Sequence, residues 1–362
     1  MEAPIERIGV EAFRIPTDAP ESDGTLAWSS TTMVLVEASA AGETGIGYSY
    51  TGRAAATLID DLLAGSVTGR DAMDTPACWQ AMVDAIRNLG RPGIAATAIA
   101  AVDNALWDLK ARILALPLAD LLGRARDAIP VYGSGGFTSY TDERLAAQLG
   151  GWVREGIGAV KMKVGREPGR DVARVEAARH AIGPAAALFV DANGAYGRKS
   201  ALAFAHDFAG LGVTWFEEPV SSDDLEGLRL VRDRAPPPME IAAGEYGYDA
   251  FYFRRMCESG AVDVLQADAT RCLGITGFMR VAALADAFGL PLSSHCAPSI
   301  HAHPCCAAPR VRHLEYFHDH VRIERLLFDG ALAPVDGMHA PARDRPGFGL
   351  TLKRADATRY AL

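Results

Sequence analysis

Short apolar runs alternate with longer amphipathic segments from residue 130 onward. Eight apolar runs occur, near residues 130, 160, 188, 214, 241, 263, 291 and 312. Strands that alternate with segments of helix length form βαβ units and a parallel sheet. Eight such units in succession predict an α/β fold of the (β/α)8 type, a TIM-like barrel, rather than an open sheet.

The chain before the barrel has a different pattern. Two β-type runs, at residues 8–13 and 32–36, flank the polar segment from Pro16 to Ser30, which we interpret as a long loop. Helical periodicity then predicts three helices, at residues 55–63, 78–88 and 92–114. These elements indicate a small α+β domain.

The tail of the chain is rich in Pro and Gly and too irregular to continue the barrel. We expect it to return to the N-terminal domain and cover it. The predicted division is an N-terminal α+β capping domain, a catalytic barrel and a returning C-terminal segment, at residues 1–128, 129–326 and 327–362.

Charge and composition argue against two classes of binding partner, nucleic acids and membranes. A formal net charge of −9 argues against nucleic acid, because phosphate binding requires clustered Lys and Arg. We find no apolar run long enough to span a bilayer and no basic-then-apolar start typical of a secretion signal. The six cysteines form no CxxC pair, which favours free thiols. We therefore expect a cytoplasmic protein with no nucleic-acid or membrane partner.

Ionisable residues recur at the carboxyl ends of the predicted strands. With one residue counted per strand end, from Lys163 onward, successive strand ends are 20 to 28 residues apart, about one βα unit each. In a (β/α)8 barrel the carboxyl ends of the strands surround the active site, so these side chains should meet at one mouth. The series comprises Lys161, Lys163, Asp191, Glu217, Glu218, Glu245, Asp268, His295 and Glu315.

Three consecutive strand ends contribute carboxylates, at Asp191, Glu217 and Glu245. Carboxylates this close cannot all be ionised without a cation. An all-oxygen set suits Mg²⁺, with Mn²⁺ as a substitute, better than zinc. Bases on either side of the triad fit removal of a proton α to a carboxylate, for which charge stabilisation must supply most of the catalysis.

Two lysines share one face of the strand that contains Lys161 and Lys163. Taken alone, such a pair more often marks a solvated edge strand. A closed barrel has no edge, however, and here the face would point toward three carboxylates. The neighbouring cation should lower the pKa of Lys163 and make it a base near neutral pH.

The ordered motifs KMK, DANGAY, WFEEP, GE, QAD and SSH, with AVDNALWDLKARILALPLADLLG before the barrel, resemble the enolase superfamily. Within it the chain is similar to the mandelate racemase-like branch of the mandelate racemase and muconate lactonizing enzyme group. The resemblance covers essentially the whole chain and implies abstraction of an α-proton with Mg²⁺ holding the enediolate.

The resemblance also implies roles for individual residues. Asp191, Glu217 and Glu245 match the metal ligands, and only the family pattern selects Glu217 over Glu218. Lys163 matches the base on one face of the substrate, with Lys161 beside the substrate carboxylate. His295 matches the base or acid on the other face, oriented by Asp268. Glu315 matches an acid that hydrogen-bonds the bound carboxylate. The resemblance also implies substrate contacts for Asn193 and for Tyr50 of the capping domain.

Several reactions share such an intermediate. We predict dehydration of an acid sugar, with racemisation or epimerisation of a 2-hydroxy or amino acid, or cycloisomerisation of a sugar-acid lactone, as alternatives. The partner is then a small-molecule carboxylate, and barrels of this kind often form homo-oligomers. A metal-dependent hydrolase should carry an HxH motif on the first strand, where the chain reads YGSGG, and a barrel that only binds a ligand has no use for the full polar set.

The segment from His301 to Cys306 has ligand types typical of zinc sites. We interpret it as the start of the helix after the seventh strand, because Pro304 breaks the ligand spacing. His318 and His320 are expected in a loop near the mouth of the barrel.

Overall fold

A computed structural model describes residues 2–362. The chain begins with an antiparallel sheet in the order β1-β2-β3, formed by Arg7–Ser22, Ala27–Ala40 and Glu43–Tyr50. The predicted loop from Pro16 to Ser30 is wrong, because most of it extends the β1–β2 hairpin and only residues 23–26 form the turn. Pro16 is tolerated because β1 is an edge strand and its register shifts between Pro16 and Glu21.

Five helices complete the first domain. The helical periods predicted at 55–63, 78–88 and 92–114 are confirmed to within a few residues at their ends. The helix α1 continues through a π-helical segment, Ile59–Leu63, into α2. The helices α1 to α5 span Ala54–Leu58, Ala64–Val67, Thr75–Ala85, Ile94–Ile113 and Leu118–Leu122.

The long helix α4 packs directly on strand β3. A Cβ atom at Gly47 would lie 2.2 Å from the backbone nitrogen of Ala105, so only glycine permits this approach. The facing side of α4 is rich in buried alanines, which keeps helix and sheet close. The capping domain therefore has its own core between the sheet and α4.

Eight parallel strands form the closed barrel, and the predicted fold class is confirmed. Neighbouring strands pair in chain order, and the last pairs with the first through Leu314 and Val131. The strands β4 to β11 span Ile129–Gly135, Ala159–Lys163, Ala187–Asp191, Val213–Glu217, Glu240–Ala243, Val264–Ala267, Leu292–Ser294 and Val311–Phe317.

A helix follows each barrel strand. Side-chain caps mark three of the helix starts: Thr141, Asp224 and Asp249 each accept a hydrogen bond from a backbone N–H of the first turn. The helices α6 to α13 span Asp142–Arg154, Pro168–Ile182, Arg198–Gly210, Leu225–Arg234, Ala250–Glu258, Gly274–Ala287, Pro298–Ala307 and His318–Leu327.

The C-terminal segment contacts both parts of the molecule. It contains the short strands β12, β13 and β14 and the helix α14, followed by a 3₁₀ turn; these span Phe328–Asp329, Met338–His339, Thr351–Leu352, Arg354–Ala357 and Thr358–Tyr360.

Strand β13 extends the barrel sheet beside β4, and the backbone N–H of Leu362 donates to the carbonyl of Ala12 at 2.9 Å. The domain boundaries stay a prediction. Within the described residues, no helix combines the length and apolar character needed to cross a membrane.

Candidate active site

Strand register brings three of the predicted residues into one layer at the mouth of the barrel. Lys163 on β5 pairs with Asp191 on β6, which in turn pairs with Glu217 on β7. Paired residues of adjacent strands point to the same face of a sheet. Residues that are one βα unit apart in the sequence are therefore neighbours at the mouth of the barrel.

The triad Asp191, Glu217 and Glu245 has the geometry of a cation site. One carboxylate oxygen of each residue lies within 4.8 Å of the others, and all three side chains are buried. The Oε2 atom of Glu245 is buried without a hydrogen-bond donor. Because the donors are all carboxylate oxygens, the set fits Mg²⁺.

The charge balance of the site also fits a cation. Burial and the neighbouring Asp191 raise the pKa of Glu217 well above its ordinary value. Burial and Glu245 do the same to the pKa of Glu218. Asp191 and Glu245 differ: although burial opposes it, neighbouring cationic side chains hold the pKa of each below its ordinary value. The described cations therefore neutralise only part of the carboxylates at this mouth, and a bound divalent cation would supply further positive charge.

Glu218 is buried beside the triad but outside it. It has a backbone φ of 39°, in the left-handed region, and neither of its carboxylate oxygens has a hydrogen-bond partner. Glu217, in contrast, is held by Lys161, by the Trp215 indole at 2.9 Å and by Gln266 at 3.0 Å. The geometry groups Glu217 with the other two carboxylates, in agreement with the choice made from the resemblance.

Lys161 lies at the centre of an ion-pair network inside the barrel. Its ammonium is 2.6 Å from Glu217 Oε1, 2.8 Å from Glu315 Oε1 and 3.6 Å from Asp191 Oδ2. The side chain is fully buried, and these carboxylates raise its pKa despite the opposing effect of burial. Lys161 is therefore a fixed cation that holds three strands of the site together.

The expected lowering of the Lys163 pKa is reversed in the structure. Burial and the neighbouring Lys161 do lower it, but the Asp191 carboxylate, at 2.5 Å from the ammonium, raises it further than they lower it. The sequence argument counted the neighbouring cation and underestimated the neighbouring anion. A cation bound to Asp191 would oppose this effect, because it would compete with Lys163 for the same carboxylate.

His295 and Asp268 form the dyad expected at the sixth and seventh barrel strands. Asp268 Oδ2 lies 2.8 Å from His295 Nδ1, and Asp268 Oδ1 accepts hydrogen bonds from the backbone and hydroxyl of Thr270. Although burial opposes it, the hydrogen bond to His295 holds the pKa of Asp268 below its ordinary value. A carboxylate only accepts, so Nδ1 carries the hydrogen. Nε2, which lies 3.3 Å from Glu245 Oε2 and 3.3 Å from Cys296 Sγ, is then the nitrogen available for proton transfer.

Glu315 lies at the end of β11, opposite the triad. Its Oε1 pairs with Lys161, and its Oε2 accepts a hydrogen bond from the backbone N–H of Cys296 at 2.7 Å. Burial would raise the pKa of Glu315, but Lys161 and His295 hold it well below its ordinary value. In the structure Glu315 is an acceptor, so its predicted role as an acid requires protonation when an anionic substrate binds.

A cavity of about 420 Å³ lies between the barrel mouth and the capping domain. The described residues that line it include Lys163, Asn193, Glu245, Asp268 and His295 from the barrel. Lys161, Asp191, Glu217 and Glu315 are buried and do not line it.

Two lining residues present unsatisfied polar atoms. The Tyr50 hydroxyl and the Asn193 Oδ1 are buried without hydrogen-bond partners, and Tyr50 stacks on His320 at 3.4 Å between ring centroids. Buried polar groups are normally paired, so these atoms are candidates for contact with a bound molecule.

The tip of the β1–β2 hairpin closes one side of the cavity. A Cβ atom at Gly24 would lie 2.3 Å from the carbonyl oxygen of Ala192 and 2.8 Å from that of Val164, so the tip sits directly on the loops after β5 and β6. The Thr138 hydroxyl donates to the Asp23 carbonyl at 2.9 Å and fixes the tip from the other side.

Arg271 is a site residue that the sequence interpretation missed. Its guanidinium is 3.3 Å from Glu245 Oε1 and 3.7 Å from Asp268 Oδ2, and it lines the cavity. It therefore links a triad carboxylate to the carboxylate of the dyad. Its position three residues after Asp268, in the same strand-end loop, was the available signal.

The two histidines of α12 are buried and hydrogen-bonded within the protein. Among the described residues, none of the metal-compatible clusters includes a member of the segment His301–Cys306, which forms most of α12 as buried helix. His301 accepts a hydrogen bond from the backbone N–H of Ala269 at 2.8 Å. The loop expected around His318 and His320 is wrong, because both lie in the first turn of α13. The expected position near the mouth is right for His320, which lines the cavity.

Two family descriptions match the chain. Residues 10–123 match the mandelate racemase / muconate lactonizing enzyme N-terminal domain, and residues 144–357 match the enolase C-terminal domain-like family. The chain belongs to the mandelate racemase and muconate lactonizing enzyme group of the enolase superfamily. The predicted resemblance is thereby confirmed for both domains of the fold.

Curated relatives span most of the chain. A 3,6-anhydro-alpha-L-galactonate cycloisomerase from Streptomyces coelicolor is 35% identical and covers 96% of this chain and 97% of the relative. An L-talarate/galactarate dehydratase from Salmonella typhimurium is 33% identical, over 85% of this chain and 77% of that protein. The relatives are dehydratases and cycloisomerases, that is, lyases and isomerases.

Solved structures agree closely with the fold. A mandelate racemase/muconate lactonizing enzyme-like protein from Rubrobacter xylanophilus is 56% identical, with a TM-score of 0.97 over 99% of this chain and 100% of that one. A racemase from Streptomyces coelicolor, solved with bound magnesium, is 33% identical, with a TM-score of 0.93 over 99% and 100%. Magnesium is thus found in a close structural relative, and the carboxylate triad here could hold the same ion.

Proposed function

We propose that the protein is a Mg²⁺-dependent lyase that removes the α-proton of an acid sugar and eliminates an oxygen substituent from the neighbouring carbon. The observation that carries this proposal is the meeting, in one cavity, of Lys163 and His295 from opposite sides of the barrel, beside the carboxylate triad. Mg²⁺ bound by the triad would stabilise the negative charge that develops on the substrate carboxylate as the proton leaves.

Lys163 and His295 divide the proton transfers in this proposal. The unprotonated amine of Lys163 takes the proton from C2, and the electron pair of that C–H bond forms the C2–C3 double bond. The C3–O bond breaks, and protonated His295 donates its Nε2 proton so that the oxygen leaves as water. The resulting enol tautomerises to a 2-oxo-3-deoxy acid. Asp268 holds the imidazole in the orientation that this donation needs.

The remaining site residues bind and position the substrate. We assign the substrate carboxylate to the part of the cavity that Lys163 and His295 line, next to the buried Lys161 and Glu315. Substrate hydroxyls are assigned to Asn193 and Tyr50. The unpaired Asn193 Oδ1 and Tyr50 hydroxyl support this assignment, because each would gain a partner on binding.

Cycloisomerisation is the second candidate. A curated relative that covers 96% of this chain is named as the cycloisomerase of an anhydro-sugar acid. The same elimination would then break a C3–O bond inside a ring, so that the leaving oxygen remains attached and no water is released. Racemisation or epimerisation would use the same two bases with reprotonation at C2.

A screen of acid sugars tests the proposal. The library contains aldonates, aldarates and anhydro-aldonates, incubated with the protein and Mg²⁺, and the readout is the 2-oxo acid that forms. We expect at least one acid sugar to be converted and conversion to stop with a chelator and return with added Mg²⁺. Conversion that continues unchanged in the chelator would contradict the metal assignment.

We propose a cytoplasmic location and a homo-oligomeric state. All six cysteines are free and buried, which supports a reducing compartment. Light scattering on the purified protein measures the oligomeric state directly, and a mass of 38.5 kDa would contradict an oligomer.

A further inference from the structure

The two sides of the active-site cavity differ in charge. The barrel side carries the described cationic side chains that line the cavity, among them Lys163 and Arg271. The capping-domain side is lined by hydroxyl groups, one indole and one carboxylate. The lining groups that matter here belong to Asp23, Trp28, Ser30, Thr32 and Tyr50.

The cations on the barrel side are already paired. Arg271 contacts Glu245 and Asp268, and Lys163 contacts Asp191. Arg53 follows Gly52 in the chain but lines a separate cavity with Glu11 and Asp60. No cationic side chain among the described lining residues is therefore available to a substrate group on the capping-domain side.

Asp23 is held so that one of its oxygens remains available. Its Oδ1 accepts hydrogen bonds from the backbone of Thr25 at 2.6 Å and of Leu26 at 2.7 Å, which fixes the hairpin turn. Within the described residues, its Oδ2 has no hydrogen-bond partner. A carboxylate only accepts hydrogen bonds, so Asp23 suits a substrate hydroxyl and repels a second carboxylate.

The other polar groups on this side match the same kind of substrate. The Trp28 indole N–H is taken by Glu21 Oε2 at 2.8 Å, so it cannot bind an anion in the cavity. The hydroxyls of Thr31 and Thr51 are already bonded to Asp319 and Thr97. Those of Ser30, Thr32 and Tyr50 remain, and a hydroxyl can both donate to and accept from a sugar hydroxyl. An anionic tail would face these groups and the Asp23 charge without a counterion.

We infer that the substrate is a monocarboxylic sugar acid with an uncharged polyhydroxyl tail, and that Asp23 selects against dicarboxylic sugar acids. This inference rests on the proposed function. It adds a choice that family membership leaves open, because the relatives named above act on a galactonate derivative and on galactarate. The selection is electrostatic and acts at the end of the substrate remote from the reacting carbons.

The test compares aldonates with aldarates of the same configuration, which differ only in a hydroxymethyl or a carboxylate at the far end. We expect kcat/KM to favour the aldonate by roughly tenfold or more, since a like charge a few ångströms away is costly in a partly desolvated cavity. In Asp23→Asn the amide oxygen can still accept from Thr25 and Leu26, and the preference should fall by about tenfold.

Asp18→Asn is the matched control. Asp18 lies on the same hairpin, pairs with His318 at 3.1 Å and does not line this cavity, so the preference should be unchanged. Equal or better turnover of the aldarate by the wild type, or a preference that survives Asp23→Asn, would overturn the inference and leave the proposed function standing. Turnover of neither class would overturn the proposed function, and the inference with it.

Discussion

At the scale of single residues, the site brings together opposing charges whose effects on one another depend on the distances in the folded structure. The strand-end series predicted which residues meet, because one face of a strand and the spacing of βα units are readable from the sequence. The direction of the shift in the Lys163 pKa could not be predicted from the sequence, because it depends on the 2.5 Å contact with Asp191. Arg271 was overlooked for the same reason, since its importance lies in its contacts with Glu245 and Asp268.

The two proton-transfer residues should respond differently to substitution. Lys163→Ala removes the proposed base, so turnover and exchange of the C2 proton should both fall by roughly 10²- to 10⁴-fold. His295→Asn keeps an amide that can donate to Asp268 and removes the acid, so elimination should fall similarly while C2 exchange in D₂O persists. Proton NMR of the substrate measures both quantities.

Either of two results would contradict these roles. If Lys163→Ala retained exchange and His295→Asn lost it, the base would be on the other face of the substrate. Full activity of both variants would refute the two-base arrangement altogether. Arg234→Ala, at the exposed end of α9, serves as a control for substitution of a cation remote from the cavity.

At the scale of elements, the β1–β2 hairpin is the part that sequence reasoning placed least well. Pro16 and Pro20 within the run, and its polar composition, are typical of a loop. The strand persists because β1 is at the edge of its sheet, where proline costs little pairing. The barrel strands were easier to predict from the sequence, since each is a short apolar run followed by a segment of helix length.

Gly24→Ala tests whether the docked hairpin tip is needed for activity. The added methyl would meet two backbone carbonyls, so the tip must move away from the barrel and open the cavity. We expect KM to rise several-fold, with thermal stability little changed because the tip carries little of the core. Gly65→Ala is the control, since a Cβ there meets no atom within 4 Å.

An unchanged KM in Gly24→Ala would contradict a role of the tip in closing the site. Limited proteolysis gives a second readout, because a displaced tip should be cleaved faster than the docked one.

At the scale of the whole molecule, a buried acid of the capping-domain hairpin, Glu21, lies within the electrostatic influence of Asp319 on the barrel helix α13. Burial, together with the nearby Asp319, raises the pKa of Glu21 from 4.5 to about 8. Between these values the unfolded chain loses a proton that the folded chain retains, so the contribution of Glu21 to stability falls as pH rises from about 4.5 to 8.

Glu21→Gln should remove this dependence. The melting temperature of the variant should differ little from the wild type near pH 4.5 and exceed it by a margin that grows toward pH 8. Glu43→Gln, at an exposed position of the same domain, is the control. A difference between variant and wild type that stays constant with pH would contradict the assignment.

The most direct test of the central claim is incubation of acid sugars with the protein and Mg²⁺ in D₂O, followed by proton NMR. The proposed elimination predicts loss of the C2 proton and a 2-oxo-3-deoxy product that carries one deuterium at C3, because the enol takes its new proton from solvent. If the folded, Mg²⁺-supplied protein leaves the C2 proton of every acid sugar in the library in place, α-proton abstraction from this substrate class is contradicted.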